Sequence, residues 1–195
     1  MKNMNLPNKL TLLRIAIVPF IIAATLINFK FNFLLAGLLF GAAAITDLLD
    51  GKIARRDNLV TDFGKFADPL ADKILVISIF VCYVKLGLCG AVPVIILLFR
   101  EFAVTSIRLV AASNGKVVAA NIYGKAKTVS QIVAIIGIYT LRTILDILSL
   151  FKWDYIIIYQ IFNIIGQIFV WVSTVFAIVS GIKYIIDNKD CIKDM

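Results

Sequence analysis

From Tyr155 to Ile182 the chain runs through 28 residues without a charged side chain. A helix needs only about 20 apolar residues to cross the hydrocarbon core of a bilayer. A stretch this long therefore has no natural place in a water-soluble fold. Five further apolar runs come before it, and the six expected spans are approximately Leu10–Leu26, Phe31–Leu49, Phe66–Val84, Val92–Ala112, Val129–Leu150 and Tyr155–Ile186. Composition agrees. The chain is 61% hydrophobic with a mean hydropathy of +0.96, against an apolar share of about 45–50% in soluble domains. Inside lipid the backbone must satisfy its own hydrogen bonds, which leaves helices as the economical solution. The expected fold class is thus an all-α integral membrane protein with six transmembrane helices. No repeat, low-complexity tract or long linker divides residues 1–195, so a single domain is expected. The first run lacks a small-residue cleavage site after it and is expected to remain as a span.

A net charge of +8 raises the question of nucleic acid. With six spans, however, 16 of the 20 lysines and arginines fall on the side of the N-terminus, leaving Lys30, Lys85, Arg142 and Lys152 opposite. The positive-inside rule then places both termini and the inward connections in the cytoplasm, and topology accounts for the charge without nucleic acid. The inward connections are also the longer and more polar ones, which puts the chemistry on that side. There is no histidine, and Cys82, Cys89 and Cys191 form no C-x-x-C pattern. Zinc, histidine-ligated haem and Ser-His or Cys-His catalysis are therefore disfavoured or excluded. Before the first span, Asn8 or Thr11 is able to cap a helix start, although a simple membrane-entry turn explains the segment as well.

The acids are not scattered. Six of the 12 lie in the 27 residues DLLDGKIARRDNLVTDFGKFADPLADK, from Asp47 to Lys73. Asp47 and Asp50 stand at i, i+3 and share a helix face. Gly51 and Ala54 continue that face with almost no side-chain bulk, and Arg55 follows, so a flat ligand can lie against the strip. Gly64, Asp68 and Asp72 recur at four-residue steps on the next helix. Asp57 and Asp62 fall off these faces and read as loop or capping residues. Pro69 fits either a helix interior or a first turn capped by Asp68. Asp47, Asp50, Asp68 and Asp72 then project from the same membrane edge, where burying a carboxylate costs up to about 3 kcal/mol. Something positive must stabilise them. Pairing with Lys52, Arg55, Lys65 or Lys73 is the plainer solution. The other is metal: all-oxygen ligands suit Mg²⁺, Mn²⁺ or Ca²⁺, and four carboxylates are enough for two such ions.

The frame Asp47-x-x-Asp50-Gly51-x-x-Ala54-Arg55, eight residues, then Gly64-x-x-x-Asp68-x-x-x-Asp72 resembles the signature of the CDP-alcohol phosphatidyltransferase family. That resemblance implies a six-helix membrane enzyme, usually a homodimer, acting on a CDP-linked lipid or alcohol. It implies Asp47, Asp50, Asp68 and Asp72 as ligands of two divalent ions, Mg²⁺ or Mn²⁺, with Asp72 also the catalytic base. Gly51, Ala54, Arg55 and Gly64 would line the CDP site. NLPNKLTLLRIAIVPF, GKFADPLADK, REFAVTSIRLVAASNG and YGKAKT are similar to the subgroup whose lipid donor is CDP-diacylglycerol and whose acceptor is sn-glycerol 3-phosphate. The acceptor phosphate needs cations, for which Arg108, Lys125 and Lys127 stand first and Arg100 and Lys116 next. Each of these is equally explained as a residue snorkelling to the headgroups. Glu101 is expected to pair with Arg100. The location implied is a bacterial cell membrane with the active site facing the cytoplasm.

Two alternatives compete with this expectation. The same fold can take another acceptor, such as phosphatidylglycerol, inositol phosphate or serine. A divalent-cation transporter would spread carboxylates through the membrane depth, whereas here they gather at one edge.

Overall fold

A computed structural model of the chain describes residues 5–56, 62–113, 122–151 and 156–189, with the backbone alone at 6–7, 48–56, 62–63, 65–66 and 112–113. Among the described residues there are six helices and no strand: α1 (Leu6–Leu26), α2 (Asn32–Arg56), α3 (Asp62–Lys85), α4 (Ala91–Ser113), α5 (Ile122–Leu150) and α6 (Ile156–Asp187). The all-helical expectation holds. Among the described residues, three stretches suffice by length and composition alone to cross a membrane: Asn8–Leu26, Ile122–Leu150 and Ile156–Asp187. Within α2 the described side chains form a shorter apolar stretch, Asn32–Asp47, and α3 and α4 carry charged residues along their lengths.

Helix α1 begins with Pro7 in its first positions, where the missing N–H is no loss. Its cap position is Asn5, in extended geometry, with no side-chain cap bond. Asn8 and Thr11 therefore lie inside the helix rather than capping it, a correction to the expectation, and both are buried. At the other end Ile27 leaves the helix, and the turn into α2 places Phe31 at φ 64°. A bulky residue adopts that left-handed conformation only where its surroundings hold it. Here the Asn32 amide donates back to the Ile27 carbonyl at 3.2 Å.

Helix α3 already starts at Asp62, so Pro69 lies in its interior and Asp68 is not its cap. Asp62 is the first residue of that helix, while Asp57 and Thr61 lie outside the described residues. The helices alternate in direction. α1 packs chiefly on α2 and α3, α5 on α6 and α2, and α4 on α6. The core between α1, α3 and α5 is closed by two buried tyrosines. Their rings meet edge-on with centroids 5.5 Å apart. Tyr139 pairs its hydroxyl with Thr25 at 2.8 Å, and Tyr83 donates to the Ile135 carbonyl at 3.1 Å. Each polar tip is thus satisfied inside an apolar interior. Alternation brings the start of α1, α3 and α5 to the same end as the later turns of α2, α4 and α6, and the expected site residues gather there.

Candidate functional site

On α1, Thr11 and Arg14 stand at i, i+3 and so share one face. That face meets the carboxylates. Arg14 is fully buried, and its Nη1 lies 2.7 Å from Oδ1 of Asp47 on α2 and 2.7 Å from Oδ1 of Asp72 on α3. Both acids keep partial solvent access, with side chains 38% and 50% exposed. Thr11 donates its hydroxyl to Asp68 Oδ1 at 2.5 Å. Three of the four acids singled out in the sequence are therefore drawn together by the first helix. Two of them converge on a single nitrogen, so their oxygens can be no further apart than twice that contact distance.

Asp50, Gly51, Ala54 and Arg55 follow on the last turns of α2, but their side chains lie outside the described residues. Gly64 is buried in the first turn of α3. Among the described residues, no group of three or more acidic, cysteine or histidine side chains is close enough to hold a metal. The donor chemistry nonetheless suits a hard cation: Asp47 and Asp72 contribute oxygens that already converge on a positive charge.

Beside Asp72 opens a cavity of about 310 Å³ between α3, α4, α5 and α6. Its cationic lining consists of Lys73, Arg100, Arg108, Lys125 and Lys127. Arg108, Lys125 and Lys127 thus stand around one space with Asp72, as an acceptor subsite would require. Lys116 lies outside the described residues. The lining cations differ in burial. Arg108 and Lys125 are exposed, but Lys127 is buried and donates to Glu101 Oε1. Glu101, itself only 9% exposed, also faces Arg100 Nη1 at 3.4 Å. The expected Arg100–Glu101 pair is present, and Lys127 is the second, unexpected cation on the same carboxylate. A buried carboxylate between two cations is the arrangement that makes burial tolerable.

The remaining cations are held by hydroxyls and by α6. Lys73 donates to the Thr105 hydroxyl, which donates in turn to the Glu101 carbonyl at 2.6 Å. Arg100 Nη2 donates to Ser180 Oγ at 2.6 Å. The next residue, Gly181, lets the arginine stem lie flat on the helix: a Cβ there would stand 3.1 Å from Arg100 Cγ. Tyr184, one turn on, is buried and lines the cavity.

Sequence reasoning missed Thr11, Arg14, Ser180 and Tyr184. Arg14 had a usable signal, since a charge four residues inside an apolar run needs an internal partner. Ser180 and Tyr184 had none, because a serine in a long apolar helix is also explained by helix packing and a tyrosine by its apolar ring.

Comparison with known proteins bears on the whole chain. A family model described as CDP-alcohol phosphatidyltransferase matches residues 4–179. The chain is similar to a CDP-diacylglycerol–glycerol-3-phosphate 3-phosphatidyltransferase of Bacillus subtilis (strain 168), 40% identical over 201 residues that cover 97% of each. A protein of the same description from Rickettsia bellii is 38% identical over 180 residues, covering 92% of this chain and 93% of the relative. One from Wigglesworthia glossinidia brevipalpis is 34% identical, with 93% of each covered.

Proposed function

The chain belongs to the CDP-alcohol phosphatidyltransferase family, and on that premise we propose that it transfers the phosphatidyl group of CDP-diacylglycerol to sn-glycerol 3-phosphate, releasing CMP. The observation that carries the acceptor half is the cavity itself: Asp72 stands at the edge of a space lined by five lysine and arginine side chains. A phosphate dianion needs such a lining, and a neutral alcohol acceptor does not.

The residues divide the work. Arg108 and Lys125, exposed on facing helices, bind the acceptor phosphate. Arg contributes a planar fork and Lys a point charge. Lys127 and Arg100, fixed by Glu101 and Ser180, supply positive charge that does not have to be ordered when substrate arrives. Asp72 accepts the proton of the acceptor hydroxyl as its oxygen attacks the β-phosphorus. The new P–O bond forms as the bond to CMP breaks, and CMP leaves with the electron pair. Gly51, Ala54, Arg55 and Gly64 provide the low-relief strip on which the cytidine diphosphate rests. Asp47, Asp50, Asp68 and Asp72 would hold Mg²⁺ or Mn²⁺. Such ions, when bound, neutralise charge on the entering and departing oxygens.

The same reading includes six membrane spans, both termini and the active site in the cytoplasm, a bacterial cell membrane and a homodimer. The distribution of lysine and arginine supports the orientation, and the alternation of the six helices supports six crossings. In the deciding experiment, purified protein is incubated with CDP-diacylglycerol, Mg²⁺ or Mn²⁺ and separate acceptors. CMP release with glycerol 3-phosphate alone is expected. Release with phosphatidylglycerol, inositol phosphate or serine instead would reassign the acceptor, and ion uptake into liposomes without CMP release would overturn the enzyme reading.

A further inference from the structure

The acidic half of the site already contains a cation. Arg14 Nη1 sits 2.7 Å from one oxygen each of Asp47 and Asp72, and the side chain is wholly buried. Without it, two carboxylates on neighbouring helices would face each other at short range and repel. Arginine suits this position because it stays charged whatever its surroundings and so offsets the repulsion between the two carboxylates. A divalent ion bound by the same two oxygens would need metal–oxygen distances of about 2.0–2.6 Å. The point between the oxygens cannot hold both the ion and the guanidinium nitrogen.

We propose that Arg14 is an internal counter-cation that a divalent ion must displace, so that ion binding and the Arg14 pairs with Asp47 and Asp72 exclude one another. This rests on the metal-dependent reading above. The exchange needs only a side-chain movement, because arginine's long stem lets the guanidinium swing while α1 stays packed. Asp68 is held separately by Thr11 and keeps its place throughout. A guanidinium displaced from these two carboxylates can turn toward the diphosphate of the lipid donor, which has the right charge. Ion and nucleotide binding then reinforce each other, since the second ligand receives the cation that the first releases. An arginine that merely oriented the carboxylates from behind would act in the opposite direction, because its loss would weaken ion binding.

The sign of the effect is therefore the test. The full-length protein in detergent is titrated calorimetrically with Mn²⁺ alone, and its thermal midpoint is recorded with and without Mn²⁺. Arg14→Gln is expected to bind Mn²⁺ about tenfold more tightly than the unaltered chain. Its midpoint, lowered without the ion, should rise more on Mn²⁺ addition than that of the unaltered chain. Arg14→Lys, which keeps a charge but bridges two carboxylates less well, should shift affinity in the same direction by less, and it decides the matter if the glutamine variant does not fold. Unchanged or weaker Mn²⁺ binding in the variants overturns the proposal while leaving the metal reading intact. An unaltered chain that takes up no Mn²⁺ overturns both.

Discussion

The acidic and basic halves of the site lie against each other at Asp72, yet they hold their charges by different means. In the acidic half one helix serves two others: Thr11 and Arg14 of α1 reach Asp68, Asp47 and Asp72, and the two acids on Arg14 retain solvent access. In the basic half the roles reverse. One buried acid, Glu101, holds Arg100 and Lys127, while Arg108 and Lys125 stay exposed. The acidic half is thus a set of carboxylates gathered around an exchangeable cation. The basic half is a largely buried, paired set of cations with an exposed pair beside it. The first is suited to handing its charge over to a ligand, and the second to presenting charge to a ligand that comes and goes.

Breaking the acidic half should have the largest effect. Asp72→Asn or Asp50→Asn is expected to lower turnover by about 10³-fold or more, measured as CMP release from protein that still inserts and purifies. Near-normal activity in either would remove these residues from the chemistry. Breaking the paired set should cost stability before activity. Glu101→Gln leaves Lys127 buried without its carboxylate, a loss of about 3 kcal/mol, visible as a lowered thermal midpoint in detergent. The exposed pair should separate binding from turnover. Arg108→Ala or Lys125→Ala is expected to raise KM for glycerol 3-phosphate about tenfold and leave that for CDP-diacylglycerol nearly unchanged. The smallest effect is expected at Gly181→Ala, where the added methyl crowds the Arg100 stem at a cost of about 1 kcal/mol. It should appear as a modest rise in the same KM, and a fall in that KM would show that Arg100 is better placed without the glycine.

What could be read from the sequence divides along the same line. The spacing of Asp47 and Asp50, and of Gly64, Asp68 and Asp72, is local, and helical periodicity alone assigns their faces. The helices were legible for the same reason, although their charged ends were not. α2 runs on to Arg56 and α5 begins at Ile122, beyond the apolar spans expected there, because backbone hydrogen bonding continues where hydropathy stops. Pro69 could not be resolved from sequence because proline fits a first turn and an interior equally; the answer depends on Asp62 starting the helix. Asn8 and Thr11 looked like caps because short polar side chains near a helix start usually are. Thr11 is instead spent on Asp68, 57 residues away. The partners of Glu101 and Arg100 lie on α5 and α6, and no periodicity within α4 points to Lys127 or Ser180.

Arg14 also constrains how the molecule is made. The two carboxylates that meet it among the described residues lie 33 and 58 residues further along the chain, so neither exists when α1 first meets the membrane. An arginine left alone in the apolar part of the bilayer costs up to about 3 kcal/mol. The first helix can therefore take up its final depth only after α2 and the start of α3 have been synthesised and have arrived beside it. Insertion at this end of the protein is then a joint event of three helices, and a chain truncated after α1 should sit shallower than the same helix does in the finished fold.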